Sequence, residues 1–199
     1  MLTVARALER IVSAIGRTAM WLFLPLVAVI LFDVITRKIP GFSVTVLQGW
    51  LGGYVSSTKL QELEWHLHAG LFALVLGWAY LCNAHVRVDL LREKAGHRVK
   101  LWIELLGAVL MLLPFILLLL WYGVDFVAAS YRQGEGSAAM TGLGHRWIIK
   151  AVFFGGVATV FLAGLAVLLR VLALLRSPHP AASFEAAVFP DAPRGPVVG

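Results

Sequence analysis

The sequence predicts an all-α integral membrane protein with four transmembrane helices and both termini in the cytoplasm. Three observations carry that reading. Hydrophobic residues make up 60% of the 199 residues and charged residues only 14%, with a mean hydropathy of +0.84. Apolar runs of the length a bilayer demands recur along the chain, and Lys and Arg gather preferentially on one side of them. Soluble domains carry roughly a quarter charged residues. This chain has too few to cover a globule in water, but enough to mark the ends of helices in lipid.

A hydrocarbon core about 30 Å thick takes about 20 helical residues at a rise of about 1.5 Å each. Segments 19–36, 65–82, 101–122 and 148–169 meet that length. The first is bounded by Arg17 and by Arg37 and Lys38, and the last is stopped by Arg170. One such segment alone would fit a buried helix of a large soluble protein, but four in so short a chain do not. Residues 1–176 are therefore expected to form one four-helix membrane domain, with Pro114 bending its third span. The segment 177–199 contains Pro178, Pro180, Pro190, Pro193 and Pro196. Proline at that density opposes helix formation, and little apolar surface remains to offset ordering, so a disordered cytoplasmic tail is expected.

Orientation follows from the basic residues. Arg6, Arg10 and Arg17 precede the first span, Arg87, Arg92, Lys94, Arg98 and Lys100 lie between the second and third, and Arg170, Arg176 and Arg194 follow the fourth. Eleven of the 17 Lys and Arg thus share one side, which the positive-inside rule makes cytoplasmic. Trp21, Trp78, Tyr80 and Trp102 fall at the inner ends of the spans and Trp65, Trp121, Tyr122 and Trp147 at the outer ends. Their rings are apolar and their tips wet, which suits the interface. The first span lacks a small-x-small cleavage site before Arg37 and is read as an uncleaved signal anchor.

Between the first two spans, Phe42, Val46, Trp50 and Tyr54 recur every four residues. A short amphipathic helix on the periplasmic surface and an irregular loop fit residues 41–59 equally. Thr58 and Gln61 have capping-box spacing at the start of the second span. The net charge of +6 is spread over helix ends rather than gathered in a stripe, which argues against a nucleic-acid partner. A single cysteine, Cys82, excludes an intrachain disulfide and any Cys-based metal centre, and it is read as a packing residue.

The densest polar cluster opens the second span: Gln61, Glu62, Glu64, Trp65, His66 and His68. On a helix Glu62 faces His66, and Glu64 faces His68. A metal or proton-relay site and a hydrogen-bonded polar collar are the two readings; no third ligand at metal spacing is evident, and no cofactor is expected. Below the collar, Ala69, Ala73 and Gly77 fall on one stripe, as do Ala151, Gly155, Thr159 and Ala163 in the fourth span. Small residues at that spacing let helix backbones approach closely in lipid. No ionisable residue lies in the middle of a span and there is no inverted repeat, so transport by this chain alone is not expected.

The run Leu60-Gln61-Glu62-Leu63-Glu64-Trp65-His66-Leu67-His68, followed after the second span by Ala84-His85-Val86-Arg87-Val88-Asp89, resembles the small permease subunit of TRAP (tripartite ATP-independent periplasmic) transporters. That family shows an acidic residue entering the second span and a His-x-Arg-x-Asp signature after it, and Arg37 closing the first span also fits. The Gln-Glu-Leu-Glu-Trp form is similar to the branch associated with 2-oxo acids, mannitol or chloroaromatic compounds. The resemblance covers about residues 18 to 175 in topology and is specific over 60–91; the long first loop and the proline-rich tail depart from it.

The resemblance implies a non-enzymatic subunit of a bacterial inner-membrane complex. A periplasmic substrate-binding protein captures an organic acid, and a large permease subunit moves it with a sodium gradient. The small subunit stands beside the large one as a scaffold, embedded in membrane lipids. In that setting Arg87 would meet a lipid phosphate or a carboxylate of the large subunit, and Asp89 would cap the next segment, unless His85, Arg87 and Asp89 form a local loop network. Two other classes stay in view: a stand-alone channel or small exporter, and a membrane redox subunit holding haem between histidines. The latter needs facing histidines at one depth, and only the second span carries any near the core.

Overall fold

The computed structural model describes residues 1–39, 41, 54–85, 95–177, 184–190 and 192. Among these, every regular element is helical. Helix α1 (Leu2–Ala19) passes through a tight 3-10 turn (Met20–Leu22) into α2 (Phe23–Lys38). Next come α3 (Ser57–Leu81), α4 (His97–Gly107), a π-helical turn (Ala108–Leu112), α5 (Leu113–Arg132), α6 (Trp147–Arg176) and the short α7 (Phe184–Val188).

Both irregular turns precede a proline. Pro25 cannot donate to the carbonyl of Trp21, nor Pro114 to that of Leu110, so the helix tightens before one and widens before the other. Neither turn ends its rod: Leu2–Lys38 and His97–Arg132 run on as continuous helices of 37 and 36 residues. At about 1.5 Å per residue each is about 55 Å long, well beyond the hydrocarbon core.

These two rods and α6 are long and apolar enough to cross a membrane. The second expected span lies in α3, whose 25 residues suffice in length. Lys59, Glu62, Glu64, His66 and His68 in its first half lower its hydropathy below that of the other three. It begins at Ser57, earlier than the capping spacing of Thr58 and Gln61 suggests. Ser56 is the cap, its hydroxyl accepting from the Lys59 amide at 3.1 Å.

Helix α6 is the hub, touched by α1, α3, α4, α5 and α7. Helix α3 runs parallel to it: Ala73 meets Gly156, and Gly77 meets Thr159. Helices α1 and α5 run antiparallel to it, pairing Glu9 with Arg170 and Gly123 with Phe154. On the α3–α6 seam, a Cβ built on Gly77 would lie 2.7 Å from the Thr159 carbonyl carbon, and one on Gly156 would lie 2.5 Å from the Ala73 oxygen. Thr159 folds its hydroxyl back onto the Gly156 carbonyl at 2.7 Å, so its polar group stays satisfied within the contact.

At the far end of the seam, Val12, Leu81, Leu101, Ala163, Val167 and Val171 form the main core. Helix α7 closes it. The segment expected to be a disordered tail thus contains a helix whose end is packed: Val188 and Phe189 are buried against this core, and the Phe189 ring stands edge-on to Tyr80 at 6.1 Å. Two adjacent large apolar side chains between Pro180 and Pro190 outweigh the local proline content. Residues 178–183, 191 and 193–199 lie outside the described set, as do residues 42–53, where the interfacial helix was expected.

Three substitutions test this packing. Gly77→Leu must push α3 off α6 and should cost about 1–3 kcal/mol, the range for overpacking. Gly155→Leu, where an added Cβ meets nothing within 4 Å, should leave the isolated subunit's melting temperature unchanged. Equal effects of the two in detergent melting curves would place the seam elsewhere. Phe189→Ala should lower stability by about 3 kcal/mol, at the low end for a buried phenylalanine because α7 is short.

Candidate functional site

The polar residues of the second-span motif lie at the end of the bundle where α2 finishes, α3 begins, α5 finishes and α6 begins. Each arrives there for a local reason. Ser56 caps α3 and donates to the Thr141 carbonyl at 3.0 Å, tying the start of α3 to the loop between α5 and α6. Gly134 takes φ +60 beyond the end of α5, and the amide of Glu135 bonds back to the Ser130 carbonyl at 3.0 Å. His145 also adopts a left-handed φ of 59 just before α6, which turns the chain so that the Arg146 amide reaches the Glu135 carbonyl at 2.9 Å.

Glu62 is the centre of this end. It is only 8% exposed, although it sits near the start of α3. Its carboxylate accepts from the Ser137 hydroxyl and the Leu143 amide, and it pairs with Arg146 at 3.5 Å. The loop comes close enough because residue 142 is glycine: a Cβ there would lie 2.7 Å from a Glu62 oxygen. Arg146 in turn lies over the Trp65 ring, 5.7 Å from its centroid. Beside it, Lys150 pairs with Glu135 and lies 4.1 Å from the Phe126 ring centroid.

A second pair closes the α2 side. Asp33, 5% exposed, binds Arg37 at 2.8 Å and accepts from the Ser57 hydroxyl at 3.1 Å. With the Gln61 amide turned so that donor meets acceptor, its oxygen accepts from Arg37 at 2.7 and 3.1 Å. Arg37 and Gln61 therefore lock α2 to α3, and the next residue, Glu62, locks α3 to the α5–α6 loop on the neighbouring face.

The ring nitrogen Nδ1 of His66 bonds the backbone carbonyl of Glu62, not its carboxylate, and the His66 ring lies 4.0 Å from that of Trp65. His68 turns away from the cluster. It lines one end of a groove of about 590 Å³ between α3 and the Met20–Phe23 region, with Leu71, Phe72, Val75 and Leu76 along it and His85 at the other end. Glu64 is half-buried. His85 lies at the opposite end of α3, 6.2 Å from the Tyr80 ring. Arg87 and Asp89 lie outside the described residues. Of the two small-residue stripes, Ala73, Gly77 and Thr159 meet on the seam, with Ala163 buried further along α6. Ala69 and Ala151 are half-buried, and Gly156 rather than Gly155 makes the close contact.

The arrangement is a tie. A carboxylate that accepts from a hydroxyl and an amide and faces a guanidinium has little capacity left for a metal or for proton relay. Among the described residues no group of three or more His, Cys, Asp or Glu is placed to hold a metal ion. Sequence reasoning missed Ser137, Leu143, Arg146, Glu135 and Lys150 as members of this end. Nothing local to residue 62 points to them, since the hydroxyl and amide that meet Glu62 are 75 and 81 residues away.

The Ser137 hydroxyl first and the Leu143 amide second hold the Glu62 carboxyl below its ordinary value of 4.5; burial opposes them, and Arg146 adds a lesser lowering effect. The salt-linked hydrogen bond from Lys150 does the same for Glu135. A carboxyl with a lowered folded-state pKa contributes stability that is complete above the unfolded value and is lost as pH falls through the folded one. Wild-type protein should therefore lose thermal stability as pH drops below about 4.5. The double variant Glu62→Gln, Glu135→Gln should start less stable at pH 7 and show a flatter acid limb. An acid limb as steep as wild type would remove both carboxylates from the linkage.

A family model described as tripartite ATP-independent periplasmic transporters, DctQ component, matches residues 26–174. Neither a curated protein nor a solved structure matches the chain significantly.

Proposed function

Because the chain belongs to the DctQ component family of tripartite ATP-independent periplasmic transporters, we propose that it is the small membrane subunit that braces the large permease during uptake of an organic acid. The family is one of transporter components that work with a large permease and a periplasmic binding protein, and the chain's long apolar helices fit a multi-pass membrane protein. In this reading the complex sits in the bacterial inner membrane and is driven by sodium, with substrates of the 2-oxo acid, mannitol or chloroaromatic class. Helix α3 crosses as a fourth span, and both termini are cytoplasmic.

The observation that carries the reading is where the charges are. Residues 18–32, 69–84, 105–124 and 151–169 contain no Asp, Glu, Lys, Arg or His. An ion or organic anion crossing through this chain would meet no compensating group at the membrane's middle, where charge transfer costs most. The ionisable groups are instead tied at the ends, Glu62 and Asp33 at one and Glu9 with Arg170 at the other. Between them, small residues bring α3 against α6 at Ala73–Gly156 and Gly77–Thr159. Such a body suits a wall against which a neighbour moves. The parallel course of α3 and α6, with α1–α2 and α4–α5 antiparallel to them, supports an up-down-up-down passage.

Two measurements test it. Reconstituted alone in liposomes, the subunit should give no uptake of 2-oxo acids or sodium, and uptake should require the large subunit and binding protein. Flux through the subunit alone would refute the bracing role. Reporter fusions after Arg176 and within 133–146 should report opposite faces of the membrane, and the same face for both would refute four crossings.

A further inference from the structure

A cleft of about 360 Å³ opens at the end of the bundle opposite Glu62, between α1 and α6. Its walls carry Arg6, Arg10, Ser13 and Arg17, its floor Glu9 and Arg170, and Pro190 forms part of its rim. The spacing 6, 10, 13, 17 places four polar side chains on one face of α1. Glu9 and Arg170 neutralise each other: Arg170 donates through Nε to one carboxylate oxygen and through a terminal nitrogen to the other at 2.6 Å, a two-point pair that is mostly buried. Arg6, Arg10 and Arg17 are exposed and make no ion pair among the described residues. Among the described residues the cleft is therefore a concentration of three positive charges without an ion pair, over a floor where Glu9 meets Arg170.

Its depth adds a second constraint. Arg17 immediately precedes the first stretch free of ionisable residues, 18–32, and Arg170 immediately follows the last, 151–169. Trp21, 70% exposed, lies one turn inward from Arg17. The cleft thus sits where hydrocarbon gives way to headgroups. Three like charges on one helix face repel each other unless an anion is shared between them. All three are arginine, whose planar fork holds phosphate oxygens two at a time where lysine offers a point charge.

The geometry points to a binding site for a phosphate-bearing anion in this cleft, gripped by Arg10 and Arg17 with Arg6 at the outer lip. The phosphate is carried either by an anionic phospholipid or by a soluble phosphate at the membrane surface. The proposal is independent of the transport reading, since it concerns the end of the bundle remote from Glu62.

The test is native mass spectrometry of the detergent-purified chain with phosphatidylglycerol or phosphatidylcholine added, alongside melting curves with inorganic phosphate in lipid-free detergent. Wild type should retain phosphatidylglycerol at least tenfold over phosphatidylcholine, or melt higher with millimolar phosphate. The first result identifies the lipid as the source and the second the soluble anion. Arg10→Gln and Arg17→Gln, singly and together, should abolish whichever preference is seen while melting normally in neutral detergent, as expected for exposed side chains. Arg132→Gln, exposed at the opposite end, should retain it. No preference in wild type for either phosphate source would overturn the site, as would equal loss in the Arg132 variant, which would mean that only overall charge is read.

Discussion

Leucines turned toward a neighbouring helix are no better solvated than leucines turned toward lipid, so helices in a membrane are held by how closely they fit. The contact on which this fold depends is therefore the seam of α3 on α6, where Gly77 and Gly156 remove the side chains that would keep the backbones apart. Helix α3 needs that seam more than any other element, because its first half carries Lys59, Glu62, Glu64, His66 and His68. Burying one face against α6 and another against the α1–α2 rod leaves less of its surface exposed. The same seam sets the register that delivers Glu62 to the loop before α6.

The polar end completes what the seam begins. Glu62, Arg146, Ser137 and the Leu143 amide join α3 to α6 through the loop, while Asp33, Arg37, Ser57 and Gln61 join α2 to α3. Breaking one partner of such a cluster leaves a carboxylate that is less than a tenth exposed with unmet hydrogen bonds. At the other end, Glu9 with Arg170 and the packed Val188 and Phe189 close the bundle. Both ends are fastened and the middle is uncharged, which is the construction expected of a support rather than a conduit.

Much of this was legible in the residues. Run length and flanking arginines located the long helices, because lipid imposes a length and penalises charge along all of it. Ala73, Gly77 and Thr159 were marked by four-residue spacing, and the same rule chose Gly155 over its neighbour Gly156. Four-residue spacing drifts around a helix of 3.6 residues per turn, and a one-residue error rotates the contact by about 100°. Phe189 was hidden because proline content speaks of local backbone while its burial depends on Leu101 and Val171, far away in sequence. The Glu62–His66 spacing located the cluster but not its bonds. The carboxylate is taken by Ser137 and the Leu143 amide, and no helical period relates residue 62 to residues 137–146.

The role as a fixed support is tested most directly by distance measurement in the assembled transporter. With Cys82 replaced by serine, spin labels at Phe72 on α3 and Phe153 on α6, both exposed, report the spacing of the two helices. A static wall gives one narrow distance distribution, unchanged when sodium and substrate are added. A second distance appearing with substrate would mean that the α3–α6 unit itself rearranges during transport, and the small subunit would then be a moving part.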